Sequence, residues 1–208
     1  MNFNEIKKAV GERIADPIGF CCYAECDSTN LRAREFAREH PENRTPYVFI
    51  AEGQTAGRGR RGRSFESPMG AGLYISLLTY PKGRGAEATA LTAQAALELA
   101  HAIEATVACE VKIKWVNDLI LGGRKVAGIL TEAEMSSEGE AAFLITGMGI
   151  NICKNVQPRA ALRKLHSCGS MLSHFQMLKA QAQLKWLLII PRVKAKMQLL
   201  FPQQSQLQ

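Results

Sequence analysis

Three stretches of the chain repeat apolar residues at the spacing of a helix. The first predicts a short helix, ended by a turn signal at Asp16-Pro17, with an apolar face of Phe3, Ile6, Val10 and Ile14. The second covers residues 31–39 and follows a polar run whose side chains can cap free amides, Asp27-Ser28-Thr29-Asn30. The third covers residues 86–106, without internal glycine or proline, and carries a stripe of Leu91, Ala95, Leu99 and Ile103. We expect this longest helix to pack on a sheet.

Apolar runs between the helices predict strands over residues 20–24, 47–51, 73–80 and 141–151. A further strand, half-buried, is predicted where apolar residues alternate with lysines, at Val111, Ile113 and Trp115. Residues 119–121 and 126–132 flank Gly122-Gly123 and predict a hairpin. Hairpins around one long helix favour an α+β fold with a mixed β-sheet and packed helices over a doubly wound parallel sheet.

The composition changes at residue 153. The chain of 208 residues is 47% hydrophobic and 22% charged, which is typical of a globular protein and predicts one main domain, residues 1–152. Residues 153–208 contain nine glutamines, one glycine and no acidic residue. Our hypothesis is that this tail of uncertain structure is not the native continuation of the domain, through a shifted reading frame or a truncation. A basic helical extension, with helical propensity over residues 171–188, is the alternative.

The net charge of +7 also belongs to the tail. Residues 1–152 hold 17 Lys and Arg against all 19 Asp and Glu, whereas residues 153–208 hold nine basic residues. A negative main domain argues against a nucleic-acid-binding module. The sequence shows no apolar run of membrane-spanning length and no secretory signal. We therefore expect a cytoplasmic protein that has no membrane as a partner. Its six cysteines lack paired metal-ligand spacing and are predicted to be reduced thiols.

A segment rich in glycine and arginine follows the strand at residues 47–51. It contains Gly57-Arg58-Gly59-Arg60-Arg61-Gly62, which matches the dinucleotide fingerprint literally, but the next residues lead to a strand and not to a helix. The dinucleotide hypothesis therefore fails. Glycines let a backbone approach a ligand and guanidinium groups bind carboxylate or phosphate oxygens, so the loop suits a bound anion. A solvated basic loop and a nucleic-acid patch remain alternatives on spacing alone.

The predicted hairpin brings an acid and a lysine to one place. Asp118 offers a hard oxygen to magnesium, and Lys125 offers a mobile positive charge to a phosphoryl oxygen. Taken singly, each is more often a surface charge. The glycines of Gly147-Met148-Gly149 taken alone indicate close strand packing.

Five motifs resemble, in their order along the chain, those of the catalytic domain of the biotin protein ligases. They are Asp27-Ser28-Thr29-Asn30, the run from Gln54 to Arg63, Lys114-Trp115-Val116-Asn117-Asp118, the run from Gly123 to Glu132, and Gly147-Met148-Gly149-Ile150-Asn151. The resemblance implies the mixed sheet of class II aminoacyl-tRNA synthetases. It also implies an ATP-dependent reaction that makes biotinyl-5'-AMP from biotin and ATP with Mg²⁺. Biotin would then pass to a lysine of the biotin carboxyl carrier protein of acetyl-CoA carboxylase or a related carboxylase.

The resemblance also implies roles for individual residues. Catalysis would rest on Lys125, Arg60 and Asp118, with Asp118 as the metal-linked acid. Biotin would be bound by Ser28, Thr29, Asn30, Gln54, Arg58, Gly59, Arg60, Lys125 and Gly128, with Ile129 as pocket wall. The adenylate would be bound by Arg58, Arg60, Arg63, Phe65, Asn117 and Asn151.

The chain departs from the pattern of the family at several points. Phe65 stands where many members have tryptophan against the adenine, and Val116 replaces a common proline. Nothing after Asn151 resembles the C-terminal SH3-like barrel of the family, which is expected to be missing, and no N-terminal DNA-binding domain is expected, hence no operator DNA. A homodimer is compatible with the resemblance. The alternatives are an inactive remnant that binds biotin or adenylate, and a lipoate ligase, against which the arginine-rich loop speaks.

Overall fold

A computed structural model describes residues 18–80, 87–107 and 109–152. Its centre is a seven-stranded sheet in the order β1-β2-β3-β7-β6-β5-β4. The strands are β1 (Gly19–Cys26), β2 (Tyr47–Gln54), β3 (Gly72–Thr79), β4 (Lys112–Lys114), β5 (Asp118–Leu121), β6 (Arg124–Met135) and β7 (Ala141–Asn151). Strands β1 and β2 are parallel and the other neighbours are antiparallel, so the predicted mixed sheet of an α+β fold is confirmed. The predicted N-terminal helix and the division at residue 153 concern residues outside the described ranges.

One helix lies on each face of the sheet. Helix α1 (Thr29–Glu39) buries Ala33 and Ala37 in a cluster with Phe49, Leu78 and Ile145. Helix α2 (Glu87–Val107) covers the other face, and its predicted stripe of Leu91, Ala95, Leu99 and Ile103 is at most 2% exposed. Each buried Leu or Ile contributes about 1.5–3 kcal/mol to the free energy of folding. The apolar clusters under α1 and α2 therefore hold the sheet between the two helices. No described helix is long and apolar enough to cross a bilayer.

The hairpin predicted at Gly122-Gly123 is confirmed. Both glycines have positive φ, 56° and 74°, which is the left-handed conformation that a tight two-residue hairpin turn requires. The turn joins β5 to β6 and pairs Leu121 with Arg124. In this register Asp118 pairs with Gly128 and Lys125 pairs with Ile120, and the long side chain of Lys125 reaches back to the Asp118 carboxylate.

The prediction of a half-buried strand over residues 111–115 is wrong for most of its length. Strand β4 is only three residues long and exposed, Ile113 is 36% exposed and Trp115 is 77% exposed, while Val111 alone is buried. The reason is position: β4 pairs only with β5 at the edge of the sheet. Alternation in sequence therefore identified the strand but not what covers it.

Candidate functional site

Two adjacent cavities lie where the N-terminus of α1, the end of β2 and the glycine-rich segments of β6 and β7 meet. The first cavity contains every residue that the resemblance assigned to biotin: Ser28, Thr29, Asn30, Gln54, Arg58, Gly59, Arg60, Lys125 and Gly128. Ile129, assigned to the pocket wall, also lines it. Residues that are far apart in the sequence thus converge on one concave surface.

The beginning of α1 is held by a side chain of β2. Ser28 is the N-cap residue but makes no side-chain capping bond. The Gln54 amide oxygen accepts the Thr29 N–H at 2.8 Å, and the Gln54 amide nitrogen donates to the Ser67 hydroxyl at 2.9 Å. The expectation that residues 27–30 cap this helix with their own side chains is therefore corrected, because a residue distant in sequence supplies the acceptor. Both ends of the Gln54 amide are fixed, so its orientation toward the cavity is fixed too.

The Asn30 amide is oriented by two buried partners. Ser76, fully buried on β3, donates its hydroxyl proton to the Asn30 Oδ1 at 2.6 Å, and its oxygen lies 2.7 Å from the Thr29 hydroxyl. The Asn30 Nδ2 donates to Glu132 Oε2 at 2.8 Å. Because an ionised carboxylate can only accept, the nitrogen of the Asn30 amide and not its oxygen must face Glu132, which fixes the amide orientation. A network of this kind presents fixed donors and acceptors to a polar ligand.

Glycines in β6 and β7 make room for side chains of the site. A Cβ at Gly147 would come within 2.3 Å of Asn30 Oδ1. Gly128 and Gly149 are paired across the two strands, and a Cβ at Gly149 would come within 2.4 Å of the Phe65 ring. The interpretation of Gly147 and Gly149 as close strand packing is wrong, since the neighbours that exclude a Cβ are side chains from a helix and a loop.

The arginine-rich loop folds back on itself. Gly57 O accepts the Phe65 N–H at 2.8 Å, and Gly59 N donates to Arg63 O at 2.7 Å. Between these two contacts, the backbones of Arg58 and Ser64 form an isolated antiparallel β-bridge. A Cβ at Gly57 would come within 2.3 Å of the Phe65 oxygen, so this turn requires glycine. No helix opens after the third glycine, which agrees with the rejection of the dinucleotide fingerprint. The fold of the loop directs its arginines to the two cavities.

The second cavity has a strongly basic lining. It is lined by five basic residues and one acid: Arg60, Arg61, Arg63, Lys114, Lys125 and Asp118, together with Gly59, Ser64, Phe65 and Asn117. Five residues line both cavities and form the wall between the two: Gly59, Arg60, Phe65, Asn117 and Lys125. A strongly basic concavity next to a mostly uncharged pocket suits a ligand with a polyphosphate beside a second, less charged ligand.

A chain of polar contacts runs along the wall between the cavities. Arg60 Nη1 donates to Asn117 Oδ1 at 2.6 Å, and Asn117 Nδ2 donates to Asp118 Oδ1 at 2.9 Å. The same Asp118 oxygen lies 2.8 Å from Lys125 Nζ. Lys125 Nζ lies 5.5 Å from the centre of the Phe65 ring. The predicted catalytic residues therefore form one connected group that links the loop to the β5–β6 hairpin.

Asp118 and its neighbours can supply only some of the ligands that a metal ion needs. In the ranges that the structure describes, no group of three or more His, Cys, Asp or Glu residues could hold a metal ion by itself. Magnesium is commonly bound through one or two protein carboxylates together with substrate phosphates. Asp118, the single acid of the second cavity, can supply one such oxygen beside a nucleotide.

Not every predicted residue lies in the cavity expected for it. Of the adenylate residues, Arg60, Arg63, Phe65 and Asn117 line the second cavity, whereas Arg58 lines only the first. Asn151 lines neither cavity but donates from Nδ2 to Lys125 O at 3.3 Å. The sequence did not predict a role at the site for Tyr74 and Met148, or for the supporting residues Ser67, Ser76 and Glu132. Ser76 lies in an apolar strand run, where a lone polar residue was the one available signal.

Two groups near the site have raised pKa values. Burial raises the pKa of the Tyr74 hydroxyl to about 12, against the opposing effect of a hydrogen bond with Ser67. Burial and the neighbouring Asp27 raise the pKa of the Cys26 thiol to about 11. At neutral pH Tyr74 is therefore an uncharged wall of the first cavity, and Cys26 is a thiol.

Sequence comparison gives a match over most of the described chain. The profile described as "Biotin/lipoate A/B protein ligase family" matches residues 23–151. The chain is 35% identical over 146 residues to the bifunctional ligase/repressor BirA of Bacillus subtilis, covering 70% of this chain and 43% of that protein. It is 40% identical over 131 residues to the biotin--[acetyl-CoA-carboxylase] ligase of Paracoccus denitrificans, covering 62% of this chain and 52% of that protein. The chain thus spans about half, or less, of these curated relatives.

Solved structures share the fold. A biotin protein ligase from Aquifex aeolicus, in complex with biotin and ATP, has a TM-score of 0.64 at 24% identity, over 89% of this chain and 72% of that chain. A biotin protein ligase from Leishmania major, in complex with biotinyl-5-AMP, has a TM-score of 0.61 at 22% identity, over 93% of this chain and 85% of that chain. At this level of identity the two structures establish the architecture of the sheet and helices.

Proposed function

The chain belongs to the biotin/lipoate A/B protein ligase family, and we propose that it activates biotin with ATP as biotinyl-5'-AMP and transfers biotin to a lysine of a biotin carboxyl carrier domain. Relatives that carry the name biotin--[acetyl-CoA-carboxylase] ligase support this substrate and this reaction. The observation that carries the proposal is the shared wall that contains Arg60, Phe65 and Lys125, between a mostly uncharged cavity and a strongly basic one. Two substrates that must react with each other need such adjacent sites.

The first cavity suits the head group of biotin. The ureido ring offers one carbonyl oxygen and two N–H groups, and it needs matching donors and acceptors in a pocket that is otherwise apolar. Gln54 and Asn30 each offer an amide whose orientation is fixed by buried partners, and Ile129 and Met148 offer apolar surface. Groups fixed before binding lose little conformational entropy when the ligand arrives.

The second cavity suits the nucleotide. In the first step a biotin carboxylate oxygen attacks the α-phosphorus of ATP, the bond to the β-phosphate oxygen breaks, and pyrophosphate leaves. Both reactants are anions, so their approach is opposed by charge repulsion. Lys125 and Arg60, on the wall between the cavities, would offset this repulsion and stabilise the charge that develops on the phosphoryl oxygens.

In the second step the neutral amine of a carrier lysine attacks the acyl carbon of the adenylate. The C–O bond to AMP breaks, AMP leaves with the electron pair, and the amine loses a proton to solvent. The acyl-adenylate is a mixed anhydride, which water would hydrolyse before biotin could be transferred. Arg60, hydrogen-bonded to Asn117 in the wall that the two cavities share, would hold the loop over the adenylate and limit the entry of water.

Mg²⁺ would neutralise phosphate charge when bound with the nucleotide. Asp118 is the residue that would contact it, because its carboxylate lies within the basic cavity. Asp118 also orients Lys125 through their 2.8 Å ion pair. We further propose that the carrier belongs to a biotin-dependent carboxylase and that the reaction takes place in the cytoplasm.

Biotin-dependent exchange of pyrophosphate into ATP tests this function on the purified 208-residue chain. The proposal predicts exchange with biotin and none with lipoate. Exchange with lipoate alone would replace it by the lipoate ligase alternative. Biotin binding without exchange would indicate a remnant that holds the ligand but lacks the first reaction.

A further inference from the structure

Glu132 lies behind the first cavity and contacts three residues that are distant in sequence. Its Oε2 accepts the Asn30 amide proton at 2.8 Å. Its Oε1 lies 3.3 Å from Arg34 Nη2 and 3.4 Å from Arg58 Nη2. The Glu132 side chain is 16% exposed and Arg58 is 42% exposed, so a mostly buried carboxylate holds a cation that reaches out into the loop.

Two of these partners line the first cavity and belong to different segments of the chain. Asn30 belongs to α1 and Arg58 belongs to the arginine-rich loop, and both are part of the cavity surface. Asn30 and Arg58 each contact Glu132 on β6. Among the described residues, no side-chain hydrogen bond joins Asn30 and Arg58 directly. Glu132 itself does not line the cavity. Its effect on a ligand would therefore be indirect.

The charge of Glu132 matters differently for the two partners. The Asn30 amide requires an acceptor, which a carboxylate or a neutral amide oxygen can supply. Arg58 and Arg34 require a negative charge, because a guanidinium in a partly buried place is stabilised by an ion pair. Replacing the carboxylate by an amide would therefore release Arg58 while keeping an acceptor for Asn30.

We propose that Glu132 is a positioning residue that couples the loop to the biotin pocket, by holding Arg58 and the Asn30 amide at one carboxylate. The inference rests on the proposed function, and names a residue through which that function would be tuned. It assigns to Glu132 a contribution to biotin affinity and not to the chemical step. Its loss should raise the KM for biotin and leave the KM for ATP unchanged.

The chain offers a matched control on the same strand. Glu134 forms ion pairs with Arg34 and Arg38, and its side chain is 30% exposed, but neither Asn30 nor Arg58 is among its ion-pair or hydrogen-bond contacts. E132Q and E134Q each remove one negative charge from β6 by the same change. An effect of general charge or of strand stability would appear in both variants, and a coupling effect only in E132Q.

Two readouts on the full chain test the proposal. In pyrophosphate exchange we expect E132Q to raise the KM for biotin about tenfold, the size of one lost charge-assisted contact, with the KM for ATP and the melting temperature as in E134Q. In the absence of any ligand, limited trypsin digestion followed by mass spectrometry should show faster cleavage after Arg58 in E132Q than in E134Q or the wild type.

The digestion needs no biotin, so it can distinguish a failure of the ligase proposal from a failure of the proposal about Glu132. A wild type without biotin-dependent exchange would remove the ligase proposal, yet faster cleavage after Arg58 in E132Q would still support the coupling of the loop. Equal cleavage and an equal KM for biotin in E132Q and E134Q would overturn it. So would a rise in both KM values together, which would indicate a general disturbance of the sheet.

Discussion

The side-chain oxygen of Gln54 lies 2.8 Å from the backbone nitrogen of Thr29 and accepts its hydrogen bond. This contact joins the end of β2 to the first turn of α1, over 25 positions of sequence. It satisfies a helix N-terminal amide that Ser28 leaves without a side-chain cap. Gln54 therefore ends a strand at the cavity and also fixes the start of the helix that supplies Thr29 and Asn30 to the same cavity.

Gln54→Leu should reduce both stability and biotin affinity. The Thr29 amide would be left buried without a partner, which costs about 1–3 kcal/mol in the free energy of unfolding. Urea unfolding and biotin titration measure the two effects. Gln94→Leu is the control, because Gln94 donates to Glu98 within α2, away from the first cavity, and its loss should leave biotin affinity unchanged. An unchanged affinity in Gln54→Leu would contradict the assignment.

Gly147→Ala should displace Asn30 and weaken biotin binding. The new Cβ would lie within 2.3 Å of Asn30 Oδ1, so the amide must move away from Ser76. Overpacking of this kind costs about 1–3 kcal/mol of stability. Gly139→Ala is a matched control, since its φ of 77° imposes strain but no atom lies within 4 Å of its Cβ. Both variants should lose stability in urea unfolding, and only Gly147→Ala should lose affinity in a biotin titration.

Lys125→Met should depress the first reaction step. Without the cation between the cavities, the rate of pyrophosphate exchange is expected to fall about 100-fold or more, as for the loss of one preorganised charge-stabilising group. Lys112→Met makes the same change at an exposed residue of β4 that lines neither cavity. Should both variants exchange at the wild-type rate, Lys125 would have no part in the reaction.

Arg60→Ala should release the loop and let the adenylate escape. The expected result is a higher fraction of biotinyl-5'-AMP free in solution, measured by chromatography of the reaction mixture. Asn117→Ala removes the partner of Arg60, so the double variant should lose little more than either single variant. Strictly additive effects of the two changes would show that their 2.6 Å contact does not hold the loop.

The Cys26 thiol should react slowly with iodoacetamide in the folded chain. Burial and Asp27 raise its pKa from 9.0 to about 11, so at pH 8 the thiolate fraction is lower than in the unfolded chain by about 100-fold. The folded pKa is above the unfolded one, so this preference stabilises the fold below pH 9 and is lost as the pH rises through 11. Peptide mapping after alkylation with and without urea measures the ratio. Equal rates would contradict the burial of this thiol.

Local pattern predicted the elements of the sheet well and their surroundings less well. Gly122-Gly123 is typical of a tight turn and the apolar run at residues 141–151 is typical of a strand, and both predictions are confirmed. The exposure of Ile113 and Trp115 was not, because alternation along β4 does not say that the strand is at the sheet edge. Edge position depends on the order of strands, which is a property of the whole chain.

The site was predictable where it depends on motifs and not where it depends on packing. Arg60, Asn117, Asp118 and Lys125 were named from their motifs, and the structure brings them into one chain of contacts. The supporting contacts of Gln54 with Thr29, and of Glu132 with Arg58, join residues that are far apart in sequence. Such contacts leave no local pattern, since each partner is an ordinary residue of its own strand or loop.

The most direct test of the central claim is the mass of a biotin carboxyl carrier domain after incubation with the 208-residue chain, biotin and MgATP. We expect the carrier to gain the mass of one biotinyl group on a single lysine, only in the presence of ATP, and Lys125→Met to abolish most of this gain. A carrier that keeps its original mass, in the presence of a folded chain that binds biotin, would contradict the account.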